Sequence, residues 1–353
     1  SIENFGKFLR QKTYLLANTT KDDDKKQYIK IPSFKLPTPP PKEIERPVLQ
    51  DLIVKEIEHL RKGDDRLLQS KNYEVFLTDA TNIPNILREI GRLREITFRA
   101  VGEGTNESID LDKYDTFYKH MFLWDDDAKC IAGAYRMGIG KDIYAKHGIN
   151  GFYLTELFRF ESELHSMMEQ SIEMGRAFII GEYQLKPMPL FLLWKGIVHT
   201  TLRYPEHKYL IGGVSISNQF SDFSKSLMIE FMRSHYYDSA VAQYIHPKNE
   251  YKVKLKERDK TLFFDEMEAD LNKLDKVIDD LEPEMRLPVL IKKYIKQNAK
   301  VIAFNVDPSF NDAIDGLMYI RISDLPESTI KPVLEEMSDQ LRKEQENNSP
   351  ENQ

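Results

Sequence analysis

The 353 residues are 41% hydrophobic and 30% charged, the balance of a chain able to bury one large core or two modest ones. A net charge of −7 lacks the basic surplus of a general nucleic-acid binder, and a single cysteine, Cys130, excludes an intramolecular disulfide. No run of about 18 apolar residues is present to form a spanning helix, and the eight histidines are scattered without zinc-like spacing, so no metal is expected.

The opening Ser1 and the basic amphipathic stretch after it read as a processed chain or a piece of a longer one rather than as a signal peptide. Apolar residues recur at helical spacing over 1–17, a charge run follows at 21–26, and six prolines in 31–47 predict an extended linker. A helix is expected over 48–61, with Leu49, Leu52, Ile53, Ile57 and Leu60 on one face, then a short strand over 73–77. Ile83, Ile86, Leu87, Ile90 and Leu93 give the core stripe of a helix over 83–100. After a polar loop come strands at 117–124 and 129–137, joined by Asp125, Asp126 and Asp127, which read as a solvated hairpin tip. Cys130 sits in an apolar run and reads as a buried, inert thiol. A strand at 171–180, a helix at 190–202, a strand at 209–215 and a helix at 222–236 follow. The segment 240–300 reads as mostly helical, strands are expected at 301–306 and 317–322, and residues after Glu335 read as frayed. The order predicts an α/β chain with a mixed sheet flanked by helices.

Five places carry polar residues that point to chemistry. Arg94 and Arg99 end the helix over 83–100, Asp110, Asp112 and Asp115 lie in the next loop, and Arg136 ends a strand. Glu173 and Arg176 interrupt a strand that otherwise suits burial, and Trp194 and Lys195 lie on the following helix. Helix-end charges and turn-forming aspartates are the plain readings of the first two groups. Buried charges need partners, so an internal ion-pair network is the plain reading of the strand pair. Residues three apart on a regular strand face opposite ways, and a bulge beside Gly175 would bring Glu173 and Arg176 together.

Taken together, these residues resemble the GNAT-related family of acyl-ornithine and acyl-glycine lipid synthases, with acyl-homoserine-lactone synthases as more distant relatives. The matching elements are Arg94 and Phe98, the acidic pair Asp112 and Asp115, Arg136 after Gly133-Ala134-Tyr135, and Glu173-Met174-Gly175-Arg176. Leu193-Trp194-Lys195-Gly196-Ile197 and Phe304-Asn305-Val306-Asp307-Pro308 are similar to the Bacteroidetes-type proteins. In those proteins such a domain follows a lysophospholipid-acyltransferase-like one. The resemblance implies a GNAT-like mixed sheet flanked by helices, with a helical insertion at about 240–300 before the last two strands. It divides the chain into the tail of a preceding acyltransferase-like domain (1–30), a linker (31–47), the N-acyltransferase domain (48–335) and a polar disordered tail (336–353).

It also implies transfer of a fatty acyl group, with or without a 3-hydroxyl, to the amine of an amino acid such as ornithine or glycine. No cofactor is expected to be bound; the co-substrate is an acyl carrier protein thioester, with acyl-CoA as the other possibility. The loop Gln184-Leu185-Lys186-Pro187-Met188-Pro189-Leu190 favours the carrier protein. It lacks the glycines whose amides cradle a CoA pyrophosphate, and its two prolines have no N–H to donate. Expected roles are Glu173, then Asp115, as base, with Arg176 and Arg136 gripping the acceptor's carboxylate. Arg94, Phe98, Asp112 and Trp124 are assigned to the substrate site, and Gln184, Lys186 and Trp194 to the acyl donor. A cytoplasmic protein with peripheral contact on the inner face of the membrane is expected. The competing readings are an acyl-homoserine-lactone synthase and a non-catalytic acyl-binding domain fused to a phospholipid acyltransferase.

Overall fold

The computed structural model describes residues 40–255, 268–283 and 285–347. The expected amphipathic segment and charge run before residue 27, the domain tail at 1–30 and most of the linker lie outside these residues.

Pro40 to Pro47 run without regular structure, and two of their amides bond to the carbonyls of Asn106 and Ser108. Helix α1 (Gln50–Leu60) buries Ile53, Ile57 and Leu60, whereas Leu49 and Leu52 face solvent. Strand β1 (Arg66–Ser70) then turns at Lys71, which has positive φ, into β2 (Tyr73–Asp79). Helix α2 (Pro84–Ala100) starts on Pro84, where a missing N–H costs nothing. Strands β3 (Lys119–Asp125) and β4 (Cys130–Ile139) form the expected hairpin. Its tip departs from the expectation: Asp125 is buried, accepting bonds from Tyr183 and Asn72 at 2.7 Å each.

Helix α3 (Gly140–His147), strand β5 (Phe158–Phe160) and helix α4 (His165–Glu169) lead into β6 (Ser171–Ile179). A single helical turn at Gly181–Gln184 precedes α5 (Pro187–Arg203), then come β7 (Tyr209–Ile216) and α6 (Asp222–His235), capped by Ser221. The segment expected to be mostly helical contains β8 (Ile245–Pro247), paired with β5, before α7 (Leu271–Leu281) and α8 (Val289–Ile295). Strands β9 (Lys300–Asp307) and β10 (Ala313–Arg321) finish the sheet. Helix α9 (Glu327–Asn347) runs through much of the stretch expected to fray; Val333 is buried and Glu336 pairs with Lys195 at 2.5 Å.

The main sheet has the order β1-β2-β3-β4-β6-β7-β10-β9 and is antiparallel except between β6 and β7. One face is covered by α5 and the helices after it; on it lie Met121, Met137, Ile172 and Met174. The opposite face carries two apolar clusters. Phe76, Phe122, Trp124 and Phe178 pack under α1 and α2, while Tyr118, Phe152, Ile211 and Leu317 pack under the 140–170 segment.

The parallel pairing of β6 with β7 covers only Ser171 to Glu173. At Gly212 a Cβ would come within 2.3 Å of the Met174 carbonyl, so only glycine lets the strands stay this close before they part. Beyond Glu173 the strands diverge, and a cleft opens through the sheet.

Candidate active site

A cavity of about 230 Å³ fills that cleft. Glu173, Gly175 and Arg176 of β6 line it, with Phe98, Glu103, Tyr153, Ser215 and Asp315 around them. The register explains how Glu173 and Arg176 share it. Phe178 opposes Ala134 and Gly175 opposes Arg136, so two residues of β6, Arg176 and Ala177, stand opposite Tyr135 alone. This is the bulge expected beside Gly175, and Arg176 sits there in the left-handed region at φ 49.

Glu173 is 2% exposed and accepts a 2.7 Å hydrogen bond from the Tyr118 hydroxyl. Burial raises its pKa to about 7, against opposing effects of the Tyr118 bond, Arg136 and the backbone of Leu154 and Tyr153. Gly138, opposite Glu173 in register, makes the Tyr118 contact feasible: a Cβ there would lie 2.5 Å from the tyrosine ring. The Tyr118 oxygen in turn accepts from the Tyr153 amide at 2.9 Å.

Beside this pair runs a chain of alternating charges. Arg94 Nη1 donates to Asp115 Oδ1 at 2.7 Å, and Arg136 Nη1 donates to Asp112 Oδ1 at 2.6 Å and to Asp115 Oδ2 at 3.2 Å. Arg176 Nη2 reaches Asp112 Oδ2 at 3.4 Å, and its Nε lies 3.5 Å from Asp110 Oδ1. Burial works against the Asp115 carboxylate, but Arg94 and Arg136 outweigh it and hold its pKa well below the ordinary range. Asp112 and Asp115 also form a reciprocal capping box at the short helical turn Lys113–Thr116. Asp112 and Asp115 are thus turn formers, as their plain reading has it, and also partners in an ion-pair network that reaches Arg176 on β6.

The sequence-expected residues separate on this geometry. Glu173, Arg176 and Phe98 line the cavity. Arg94, Asp115 and Arg136 form a buried support beside it, and Asp112 lies on an adjoining cavity that also touches Arg176. Arg136 was expected to grip a substrate carboxylate. Instead it is 1% exposed, engaged by Asp112 and Asp115, and flanked by the rings of Tyr114, Tyr118 and Tyr153 at 5.1–5.6 Å. Trp124 lies away from the cavity, bonded to Asp126 at 3.0 Å under α1 and α2. Trp194 packs in the core on the other face, 5.8 Å from the Tyr294 ring. Gln184 bonds back to the Ile179 carbonyl at 2.9 Å, and the Lys186 ammonium sits 3.9 Å from the centre of the Tyr183 ring. Cys130 is half-buried rather than buried, 3.4 Å from the Tyr183 hydroxyl. Tyr118, Tyr153, Glu103 and Asp315 were not singled out. Only Asp315, an acid inside the apolar run of β10, leaves a visible trace in the sequence.

Residues 93–194, from the second half of α2 to the first half of α5, match the family model described as an acetyltransferase (GNAT) domain. A mixed sheet flanked by helices and splayed between β6 and β7 is the GNAT-like α/β fold. The chain is similar to the glycine N(alpha)-acyltransferase of Bacteroides thetaiotaomicron, 33% identical over 207 residues, which cover 56% of this chain and 61% of that protein. It is 31% identical over 200 residues to the protein of the same name from Phocaeicola vulgatus, covering 53% and 61%. The chain thus spans about three-fifths of the length of the curated relatives it matches. Among solved structures, a CoA-dependent acyl-homoserine lactone synthase aligns over 74% of this chain and 88% of its own, with 8% identity and a TM-score of 0.35.

Proposed function

We propose that this chain is an N-acyltransferase that moves a fatty acyl group from a thioester to the amine of a small amino acid, with glycine the favoured acceptor. The observation that carries this reading is Glu173: a buried carboxyl with a pKa near 7, placed with Arg176 in the cleft between β6 and β7. An amino acid's ammonium must lose a proton before its nitrogen can attack, and a carboxylate of that basicity is suited to take it at neutral pH. Glu173 takes the first proton from the ammonium; the new C–N bond then forms as the C–S bond breaks, and the second proton from nitrogen goes to the departing thiolate. Arg176 lines the cavity and would offer the acceptor's carboxylate the donors not turned to Asp110 and Asp112. The names of the two relatives favour glycine over ornithine.

For the donor we favour an acyl carrier protein over CoA. Helix α5 begins with Pro187 and carries Pro189 two residues on, so two of its first amides cannot donate to a pyrophosphate. A preceding lysophospholipid-acyltransferase-like domain and contact with the inner membrane face remain part of the proposal. Leu185, Met188 and Phe191, exposed at the start of α5, would suit such contact, and no helix among the described residues is long and apolar enough to cross a membrane. The deciding assay offers acyl-carrier-protein and acyl-CoA thioesters with a pool of amino acids and identifies products by mass spectrometry. N-acylglycine is the expected product, and an absence of any acyl-amino acid would overturn the reading.

A further inference from the structure

The wall of the cavity facing β6 is acidic, and the proposed chemistry at Glu173 does not use it. Asp315 on β10 stands opposite Ser215 on β7 in register, and the Ser215 hydroxyl lies 3.3 Å from its Oδ1. Glu103, which follows α2, lines the same wall. Asp307, 4% exposed at the end of β9, completes the wall. Among the described residues, none of these three carboxyls has a Lys or Arg within ion-pair distance; Arg176, the cation that acts on Asp315, is already engaged by Asp110 and Asp112. Burial raises both Glu103 and Asp315 to a pKa of about 7, as expected for carboxyls lacking a counter-charge.

The acidic lining continues outward. A second cavity, of about 680 Å³, shares Tyr153, Arg176, Asp307 and Phe310 with the first. Asp110 lines it, is 2% exposed, and leaves its Oδ2 without a hydrogen-bond partner. A buried carboxylate oxygen with no donor costs free energy unless a donor arrives. An N–H donor with positive charge suits these carboxyls. An acyl chain offers these carboxyls no donor.

We propose that Glu103 and Asp315, together with Ser215, form a cation subsite that seats the acceptor's ammonium, reached along Asp110 and Asp307. This rests on the acyltransferase reading and extends it: Arg176 holds the carboxylate end of the acceptor, and the opposite wall holds its nitrogen within reach of Glu173. Glu103 and Asp315 are positioning residues here, and the proton still goes to Glu173. The arrangement selects a zwitterion over a simple carboxylic acid or a neutral amide.

The test uses the full chain, with glycine as acceptor and methylammonium and acetate as probes of its two ends. Glu103→Gln and Asp315→Asn should each raise the glycine KM about tenfold or more, as expected for loss of a charge-assisted hydrogen bond, while kcat and the acyl-donor KM move much less. Methylammonium should bind the wild type in a ligand-observed NMR titration and bind the variants correspondingly more weakly, with acetate unaffected. Ser215→Ala gives a milder perturbation should Asp315→Asn fail to fold, and should weaken methylammonium in the same direction. An unchanged glycine KM and unchanged methylammonium binding in folded variants overturn the subsite, as does equal weakening of acetate and methylammonium. Methylammonium binding is read without turnover. A wild type that acylates no amino acid therefore sinks the acyltransferase reading, whereas amine binding indifferent to these substitutions sinks the subsite.

Discussion

Replacing Glu173 by glutamine removes the basic oxygen and keeps the side chain's shape. The amide carbonyl can still accept the Tyr118 hydrogen bond, now 2.7 Å long, and a neutral side chain avoids the burial cost that raises the carboxyl to about 7. Folding should therefore be unimpaired while turnover falls by about 10²–10⁴, the range of a general-base contribution, or roughly 3–5 kcal/mol of barrier. The pH profile makes the assignment specific. A group with a pKa of about 7 is protonated and unable to accept below that value, so kcat/KM for the wild type should rise through pH 7 and level off above it. The glutamine variant should lack this limb, which also separates it from titration of the free amine. Tyr118→Phe removes a bond that holds the Glu173 pKa down, so in that variant the limb should move to higher pH. Purified variants, checked for folding by thermal denaturation, would be assayed with a fixed acyl thioester and glycine from pH 5.5 to 9. A folded Glu173→Gln enzyme within tenfold of wild type, or one retaining the limb, would refute the role of Glu173.

Arg136→Met should destabilise the fold by about 3–5 kcal/mol, because Asp112 and Asp115 lose a buried counter-charge; urea denaturation with a loss below about 1 kcal/mol would contradict the buried network. Arg176→Lys keeps the charge but loses the planar fork, and should raise the KM for glycine about tenfold with the acyl-donor KM little changed; steady-state kinetics in both substrates test this. Stability should also depend on pH. Glu103, Glu173 and Asp315 have folded-state pKa values raised to about 7, so their contribution is fully present below their ordinary values near 4 and is lost as pH rises through 7. The unfolding free energy should fall between pH 5 and 8, and Asp315→Asn should flatten that slope in urea titrations across the range.

The parts of the fold legible in the sequence are those with a long, unbroken period. Helix α2 shows its stripe at Ile86 and Ile90, with Ile83 at its N-cap, and β6 and β7 show as apolar runs. Strand β1 was hidden because a register irregularity between Arg66 and Leu68 puts the adjacent Leu67 and Leu68 both inside, which breaks the alternation that marks a strand. Strands β5 and β8 are three residues each, too short to carry a period, and they find each other across the 140–250 segment only in three dimensions. At the site, the charged members of the network were visible because charge inside an apolar strand needs an explanation. Their division of labour was not. Whether an arginine faces a cavity or an internal carboxylate depends on which neighbouring element reaches it first, and the capping turn carrying Asp112 and Asp115 reaches Arg136. The acidic wall was less visible still, since Glu103, Ser215, Asp307 and Asp315 come from four separate segments.

The left-handed conformation of Arg176 shows how the network and the cleft depend on one another. In an unbroken strand, residue 176 would share a face with Ile172 and Met174, and its guanidinium would point into the apolar core under α5. The extra residue at the bulge reverses that parity and turns Arg176 toward the face that holds Glu173. A non-glycine residue with positive φ costs about 1–2 kcal/mol, so something must hold it there. Asp110 and Asp112 supply opposite charge at 3.4–3.5 Å, and the rings of Tyr153 and Phe310 lie 5.0 and 4.5 Å from its guanidinium carbon. Asp112 is itself fixed by Arg136 and by the capping box with Asp115, and Asp115 by Arg94 on α2. The chain of charges thus ties α2, the capping turn and β4 to one strained residue on β6. A purely structural network would have no need of that strain, because an apolar side chain at 176 in ordinary strand geometry would pack in the core at lower cost.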